Sequence, residues 1–399
     1  MFKAYKGREL SHHPWYEVTG PPFFAVKRQK MKEETKDAPA KKENDDTAFS
    51  VSLLREVKLL KELKHPNIVN MCDLIIDVKS SEIALVFEYA EYEMMKIIDY
   101  YKNDRKESLP PAAVKSFLYQ SLKGLKYLHD NWIMHRDLKP ENILIVGGGP
   151  RKGSVVLADL GLARIFRNPV LRLGHVDKVV VTLWYRAPEL LLGAEDYTAA
   201  IDMWSMGCIF ASLLLAKDPN VKALFQGRQL EKDDSKQPKQ PPFQSDQCDK
   251  IFKILGAPTF ATWPDVAALP DYKMIKDKNY PMTSTLPAQF AKNPITPDAL
   301  DLLTKMLQMD PSRRITAADA LKHEYFAREP YPSDNAIKDL GDSKAVDKMT
   351  IAAPRPLGTE VTNAQLEDIE RMRAEVRAKV TAEETKRQRQ NGGFSYAEL

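Results

Sequence analysis

Cysteine is scarce in this chain: Cys72, Cys208 and Cys248 are three in 399 residues, far apart and without metal-ligand spacing. That excludes a disulfide framework and a thiolate metal site, and fits a reducing compartment. Long hydrophobic runs are missing as well. No stretch of about 18 apolar residues could cross a membrane. The start, Met1-Phe2-Lys3-Ala4-Tyr5-Lys6, lacks the apolar block of a secretion signal. A soluble, intracellular protein with no membrane partner is expected. Neither sign of charge dominates, since 59 basic and 55 acidic residues leave a net charge of +4. So balanced a surface does not predict direct binding of nucleic acid. Also absent, ahead of Lys27, is a G-x-G-x-x-G stretch whose backbone could cradle phosphates. What remains is ordinary for a globular chain: 43% apolar residues, enough for a sizeable core.

The informative residues lie in three ordered motifs. His135-Arg136-Asp137-Leu138-Lys139-Pro140-Glu141-Asn142 comes first, Asp159-Leu160-Gly161 follows, and Ala187-Pro188-Glu189 closes the segment that Asp159 opens. Phosphoryl transfer needs an acceptor for the attacking hydroxyl proton and oxygen ligands for Mg²⁺ on rigid neighbouring turns, and Asp137, Asn142 and Asp159 offer those groups. A triplet alone would carry little weight, but three motifs in this order point to a protein kinase. Upstream, Phe24-Ala25-Val26-Lys27 is a short apolar run of strand character. The stretch from Thr47 to Leu60 has helical spacing and presents Glu56 toward Lys27. Taken singly, Lys27 or Glu56 would be a solvated surface charge; the paired reading makes Lys27 the phosphate-binding lysine.

The chain divides into an α+β, two-lobed arrangement. Residues 1–89 read as a small strand-rich lobe interrupted by a mixed-charge insert at 30–46. Ile83-Ala84-Leu85-Val86-Phe87 is a buried strand running into the hinge Glu88-Tyr89-Ala90, with Phe87 behind an adenine pocket. Ala25, Phe87, Glu88 and Ala90 are therefore nucleotide-binding candidates beside Lys27 and Glu56. Residues 90–330 are mainly helical, with Val114, Phe117, Leu118, Leu122, Leu125 and Leu128 on one face of a long helix. Gly147-Gly148-Gly149-Pro150 and Gly153 mark a turn between strands Ile143–Val146 and Val155–Ala158 and not a phosphate loop. Residues 228–243 read as a surface insertion, Arg314 as a buried partner for Glu189, and His12-His13 as part of a loop. The polar tail, 331–399, contains a charged helix at 363–389, which either docks or is solvated; Lys386-Arg387-Gln388-Arg389 is a weak nuclear signal.

Leu128-His129-Asp130-Asn131-Trp132-Ile133-Met134, the glycine hairpin, and Thr182-Leu183-Trp184-Tyr185-Arg186-Ala187-Pro188-Glu189 resemble the cyclin-dependent protein kinases. Tyr89-Ala90-Glu91 and Ser50-Val51-Ser52-Leu53-Leu54-Arg55-Glu56 narrow the resemblance to the Mediator-associated cyclin-dependent kinase 8 subfamily, over about residues 1–330. The resemblance implies ATP and Mg²⁺ as cofactors and phosphorylation of Ser or Thr, often before Pro. It assigns Asp137 and Lys139 to catalysis and Asn142 and Asp159 to the metal. It also implies a C-type cyclin on the Ser50–Glu56 helix, further subunits of the Mediator kinase module, substrates including the RNA polymerase II C-terminal domain, and a nuclear location. Asp202 is expected to anchor the catalytic loop. From Leu162 to Val181 there is no Ser, Thr or Tyr, and Asp177 stands where relatives carry a phosphothreonine facing Arg55, Arg136 and Arg164.

The missing glycine-rich loop leaves two readings. Met1-Phe2-Lys3-Ala4 resembles the residues that follow such a loop, so one reading is a kinase whose recorded start lacks the first strand and loop. The other is a catalytically impaired, pseudokinase-like scaffold that binds cyclin. Retention of Lys27, Glu56, Asp137, Asn142 and Asp159 favours the first.

Overall fold

The computed structural model describes residues 3–6, 23–30, 51–77, 82–166, 183–221, 223–227 and 243–341. Asp177, all but the last residue of the 228–243 insertion, the 363–389 helix and all but the first residue of the 30–46 insert lie outside them.

Four antiparallel strands form the first sheet: β1 (Lys3–Lys6), β2 (Phe23–Lys30), β3 (Met71–Asp77) and β4 (Glu82–Glu88), in the order β1-β2-β4-β3. Alternation sets its inner face, because Ile83, Leu85 and Phe87 point into the core from β4. The register places Lys27 opposite Leu85 and Ala25 opposite Phe87. Helix α1 (Val51–Glu62) runs two residues past the expected Leu60; its Leu59 and Leu60, with Leu63 just beyond, are buried.

The remainder is helical around a small sheet. Strand β5 (Tyr92–Glu93) leads into α2 (Met94–Tyr100), followed by one wider turn, Tyr101–Arg105. Helix α3 (Pro111–Asp130) starts with proline at its first position, where the missing N–H costs nothing, and buries the predicted Val114 to Leu128 stripe. Strands β6 (Ile133–Met134), β7 (Ile143–Ile145), β8 (Val155–Leu157) and β9 (Arg164–Ile165) carry the motif residues between them. They pair as β5-β7-β8 and β6-β9. After α4 (Pro188–Leu191), helix α5 (Ala200–Leu214) is buried almost all round, as its unbroken apolar sequence requires. Helices α6 (Ser245–Leu255), α7 (Leu286–Gln289), α8 (Pro297–Met306), α9 (Ala317–Ala320) and α10 (Glu324–Ala327) complete the helical layer.

Two contacts tie the helical part to the first sheet. The loop after α1 joins β8 by Val69 N–H to Leu157 O (2.9 Å) and Leu157 N–H to Asn67 O (3.0 Å). At the crossing of α3, a Cβ on Gly124 would stand 2.6 Å from Asn67 O, so only glycine lets the helix come this close.

Packing continues past Pro330. A strap ending in α11 (Ala336–Asp339) lies across α3 and the β7–β8 turn. Ser333 N–H donates to Ser116 Oγ (2.8 Å), Ser116 Oγ–H to Asp339 Oδ2 (2.6 Å), Gln120 Nε2 to Ser333 O (3.1 Å), and Ala336 N–H to Gly153 O (3.0 Å). Ala336, Ile337 and Leu340 are buried beneath it.

Candidate active site

Lys27 reaches the cleft from the middle of β2. Its Nζ donates to Glu56 Oε1 at 2.7 Å and to Asp159 Oδ1 at 3.0 Å, so one ammonium joins the sheet, α1 and the Asp159 turn. Burial opposes the charge on Lys27, but Glu56 and then Asp159 outweigh it and hold the pKa above the ordinary lysine value. Burial would likewise raise Asp159; Lys27, with smaller help from His135 and the Gly161 amide, brings it below the usual carboxylate value. Asp159 sits in the left-handed region at φ +60°, an uncommon conformation for a non-glycine residue. Gly161 makes the convergence possible. A Cβ there would lie 3.2 Å from Asp159 Oδ1, 3.4 Å from Glu56 Oε2 and 3.7 Å from Lys27 Nζ.

The second half of the site is the loop between β6 and β7. Lys139 Nζ donates to Asp137 Oδ2 at 2.9 Å; Asn142 Nδ2 donates to Asp137 O at 2.7 Å and to Asp137 Oδ2 at 3.0 Å. Asp137 Oδ1 is buried with no partner, an acceptor left for an incoming hydroxyl. The loop is fixed from below by Asp202 of α5, whose carboxylate accepts from His135 N–H (2.8 Å), Arg136 N–H (2.8 Å) and the His129 ring (3.0 Å). Asp202 is fully buried. Burial pushes its carboxyl up, and these donors more than reverse that, with His129 the largest. Arg136, at φ +69°, lies 5.6 Å from the Tyr197 ring centre and donates to Leu162 O at 3.3 Å. His135 donates to Ala158 O at 3.0 Å, and Ala158 N–H donates to Asn142 O at 2.9 Å, which sets the Asp159 turn beside Asn142.

These residues fit a magnesium ion. With its amide nitrogen committed to Asp137, Asn142 keeps its carbonyl oxygen for a ligand role, and Asp159 keeps its carboxylate ionised and partly exposed. Among the described residues no three His, Cys, Asp or Glu side chains form a metal cage. One carboxylate and one amide suit an ion that takes its other ligands from phosphates and water.

Phe87 and Ala90 are buried beside the cleft, and Ala25 is half-buried on β2. Glu88 spends its side chain on Arg151, which also donates to Pro66 O, and its N–H on Asn70 O at 3.0 Å. Sequence reasoning missed Arg151: an arginine in a glycine turn carries no signal of the hinge it grips. It also missed the two histidines around Asp202, although both stand in the quoted stretches. Glu189, by contrast, meets the expected Arg314 in a bidentate pair at 2.8 and 3.0 Å, with the guanidinium 5.2 Å from the Trp204 ring centre.

A lysine shared by a helix glutamate and a turn aspartate, above a loop joining Asp137, Lys139 and Asn142, defines a protein kinase. Residues 22–326 match the protein kinase domain model, and the chain belongs to the protein kinase family. Within it, the chain is 44% identical over 323 residues to cyclin-dependent kinase E-1 of Arabidopsis thaliana, covering 80% of this chain and 65% of that protein. To cyclin-dependent kinase 8 of Drosophila melanogaster it is 41% identical over 344 residues, 83% of this chain and 73% of that one. The chain thus spans just under two thirds of the plant relative. The fold is similar to a chain in the crystal structure of the yeast RNA Pol II CTD kinase CTDK-1 complex, with TM-score 0.62 and 29% identity over 78% of this chain and 88% of that one.

Proposed function

We propose that the chain is a serine/threonine protein kinase of the cyclin-dependent type, transferring the terminal phosphoryl group of ATP to Ser or Thr, often before Pro. One observation carries this reading: Lys27 is held at once by Glu56 and Asp159, so three elements share one phosphate-binding charge. Lys27 binds nucleotide phosphates, and Glu56 keeps it from turning to solvent. Asp137 orients the substrate hydroxyl and accepts its proton at the unpartnered Oδ1. Lys139, resting on Asp137 Oδ2, offers a positive charge to the transferring group. Asn142 and Asp159 would hold Mg²⁺, which would supply positive charge against the phosphates. Ala25, Phe87, Glu88 and Ala90 line the adenine end, Glu88 through its backbone.

The relatives' name, cyclin-dependent kinase, supports a cyclin as partner, which this reading seats on α1; the CTD kinase neighbour supports the RNA polymerase II C-terminal domain as a substrate, and the wider setting in this reading is the Mediator kinase module in the nucleus. Expression of the full chain with a C-type cyclin and assay on Ser-Pro peptides tests the catalytic claim. Asp137→Asn is expected to lower turnover roughly 10²-fold or more while KM for ATP changes little. A loss of ATP affinity without loss of turnover would refute the role given to Asp137. Wild-type turnover no faster than that of Asp137→Asn would favour a cyclin-binding scaffold.

A further inference from the structure

The hinge is seated on the β7–β8 turn at Glu88, Ala90 and Glu91. Arg151 pairs with the Glu88 side chain and donates also to Pro66 O, in the loop after α1. Ala90 packs with Val146 and Val156 in a small apolar cluster separate from the main core. The N–H of Gly147 donates to the Glu91 carboxylate. Of these links Arg151 reaches furthest: one guanidinium serves acceptors on two elements, which the point charge of a lysine does poorly. It also balances charge, because burial raises the Glu91 carboxyl and the negative charge of Glu88 adds to that.

A second observation concerns the other side of the same turn. Gly153 is buried at φ +85°, and a Cβ there would stand 2.1 Å from Asn335 Oδ1 of the strap. Its carbonyl accepts from Ala336 N–H at 3.0 Å, and its own N–H donates to Val146 O at 2.7 Å. Val146 belongs to the cluster that holds Ala90. Direct contacts therefore run from the strap through Gly153 and Val146 to the hinge, with Arg151 in the same turn. Such a turn cannot shift without disturbing the strap on one side or the hinge on the other.

We propose that Arg151 is a positioning residue for the nucleotide: on a turn braced from behind by the strap, it fixes the hinge backbone at the adenine end and so slows the release of bound nucleotide. A backbone already in place loses less freedom when ligand binds, and the gain is read mainly in the dissociation rate. The proposal rests on the nucleotide-binding reading above.

The test uses the full chain, Mg²⁺ and ADP carrying a fluorescent N-methylanthraniloyl group, with its release followed by stopped flow on displacement by excess ATP. Arg151→Gln and Glu88→Gln are each expected to speed release about fivefold or more, the worth of one charge-assisted pair. The double variant should be no faster than the faster single one, because both changes break the same contact. Arg151→Lys should fall between wild type and Arg151→Gln. Unchanged release in Arg151→Gln overturns the proposal. So does equal acceleration in Thr296→Ala, which strips the cap of α8 and measures general destabilisation alone. If the fluorescent ADP does not bind wild type, the nucleotide reading fails, and hydrogen exchange of the hinge amides at 88–92 decides the brace separately. Faster exchange in both Arg151→Gln and Ile337→Ala, the latter loosening the strap, supports it; exchange equal to wild type in either variant overturns it.

Discussion

Asp202 has no water to solvate its charge and relies on three donors, two from the catalytic-loop backbone and one from His129. Its carboxyl pKa is lower in the folded protein than the ordinary value of about 3.9. A depressed pKa contributes stability that is fully present above the unfolded value and is lost as pH falls through the folded one. Asp202→Asn is therefore expected to be less stable at pH 7 by about 3 kcal/mol. The difference should shrink below about pH 4, where the unfolded wild-type chain begins to bind a proton at this carboxyl that the folded protein still excludes. Urea unfolding of both proteins between pH 7 and pH 3.5 measures it; a constant gap would show that Asp202 contributes no proton linkage.

Among the described residues, the ion pair between α4 and the loop after α8 is the most deeply buried. Arg314→Met leaves Glu189 charged without a partner and should cost about 3 to 5 kcal/mol, whereas the double change to Met and Leu recovers most of it. Chemical denaturation of the two variants separates these outcomes. The strap through α11 is a second element with a stability role. Ending the chain after Gly341 leaves its bonds intact, while ending it after Pro330 removes them and uncovers the sites of Ile337 and Leu340. Burial of those two side chains corresponds to about 3 to 6 kcal/mol. Thermal melting of the two truncations should differ by several degrees; equal melting would mean that the strap contributes nothing.

In the molecule as a whole, the two halves of the cleft make separable contributions to nucleotide binding. Mg-ATP at saturating concentration is expected to raise the melting temperature of wild type and of Asp137→Asn, and to have little effect on Asp159→Asn. A differential scanning measurement with and without Mg²⁺ checks this; absence of a shift in wild type alongside stable cyclin binding would favour the scaffold. Much of this cleft was legible in the sequence because phosphoryl transfer places Asp137, Lys139 and Asn142 within six residues, and strand and helix periods pair Lys27 with Glu56. The α3 stripe was readable for the same reason, a strict helical period. The strap was not, since its bonds to Ser116 and Gln120 span more than two hundred residues and its polar sequence looks like tail.

Arg151 joins the hinge carboxylate of Glu88 to the carbonyl of Pro66 from a turn that belongs to the helical part. Such a clasp spans the line about which the cleft would open. Any opening between the two halves must break it or carry it along, which makes the β7–β8 turn a part of the hinge.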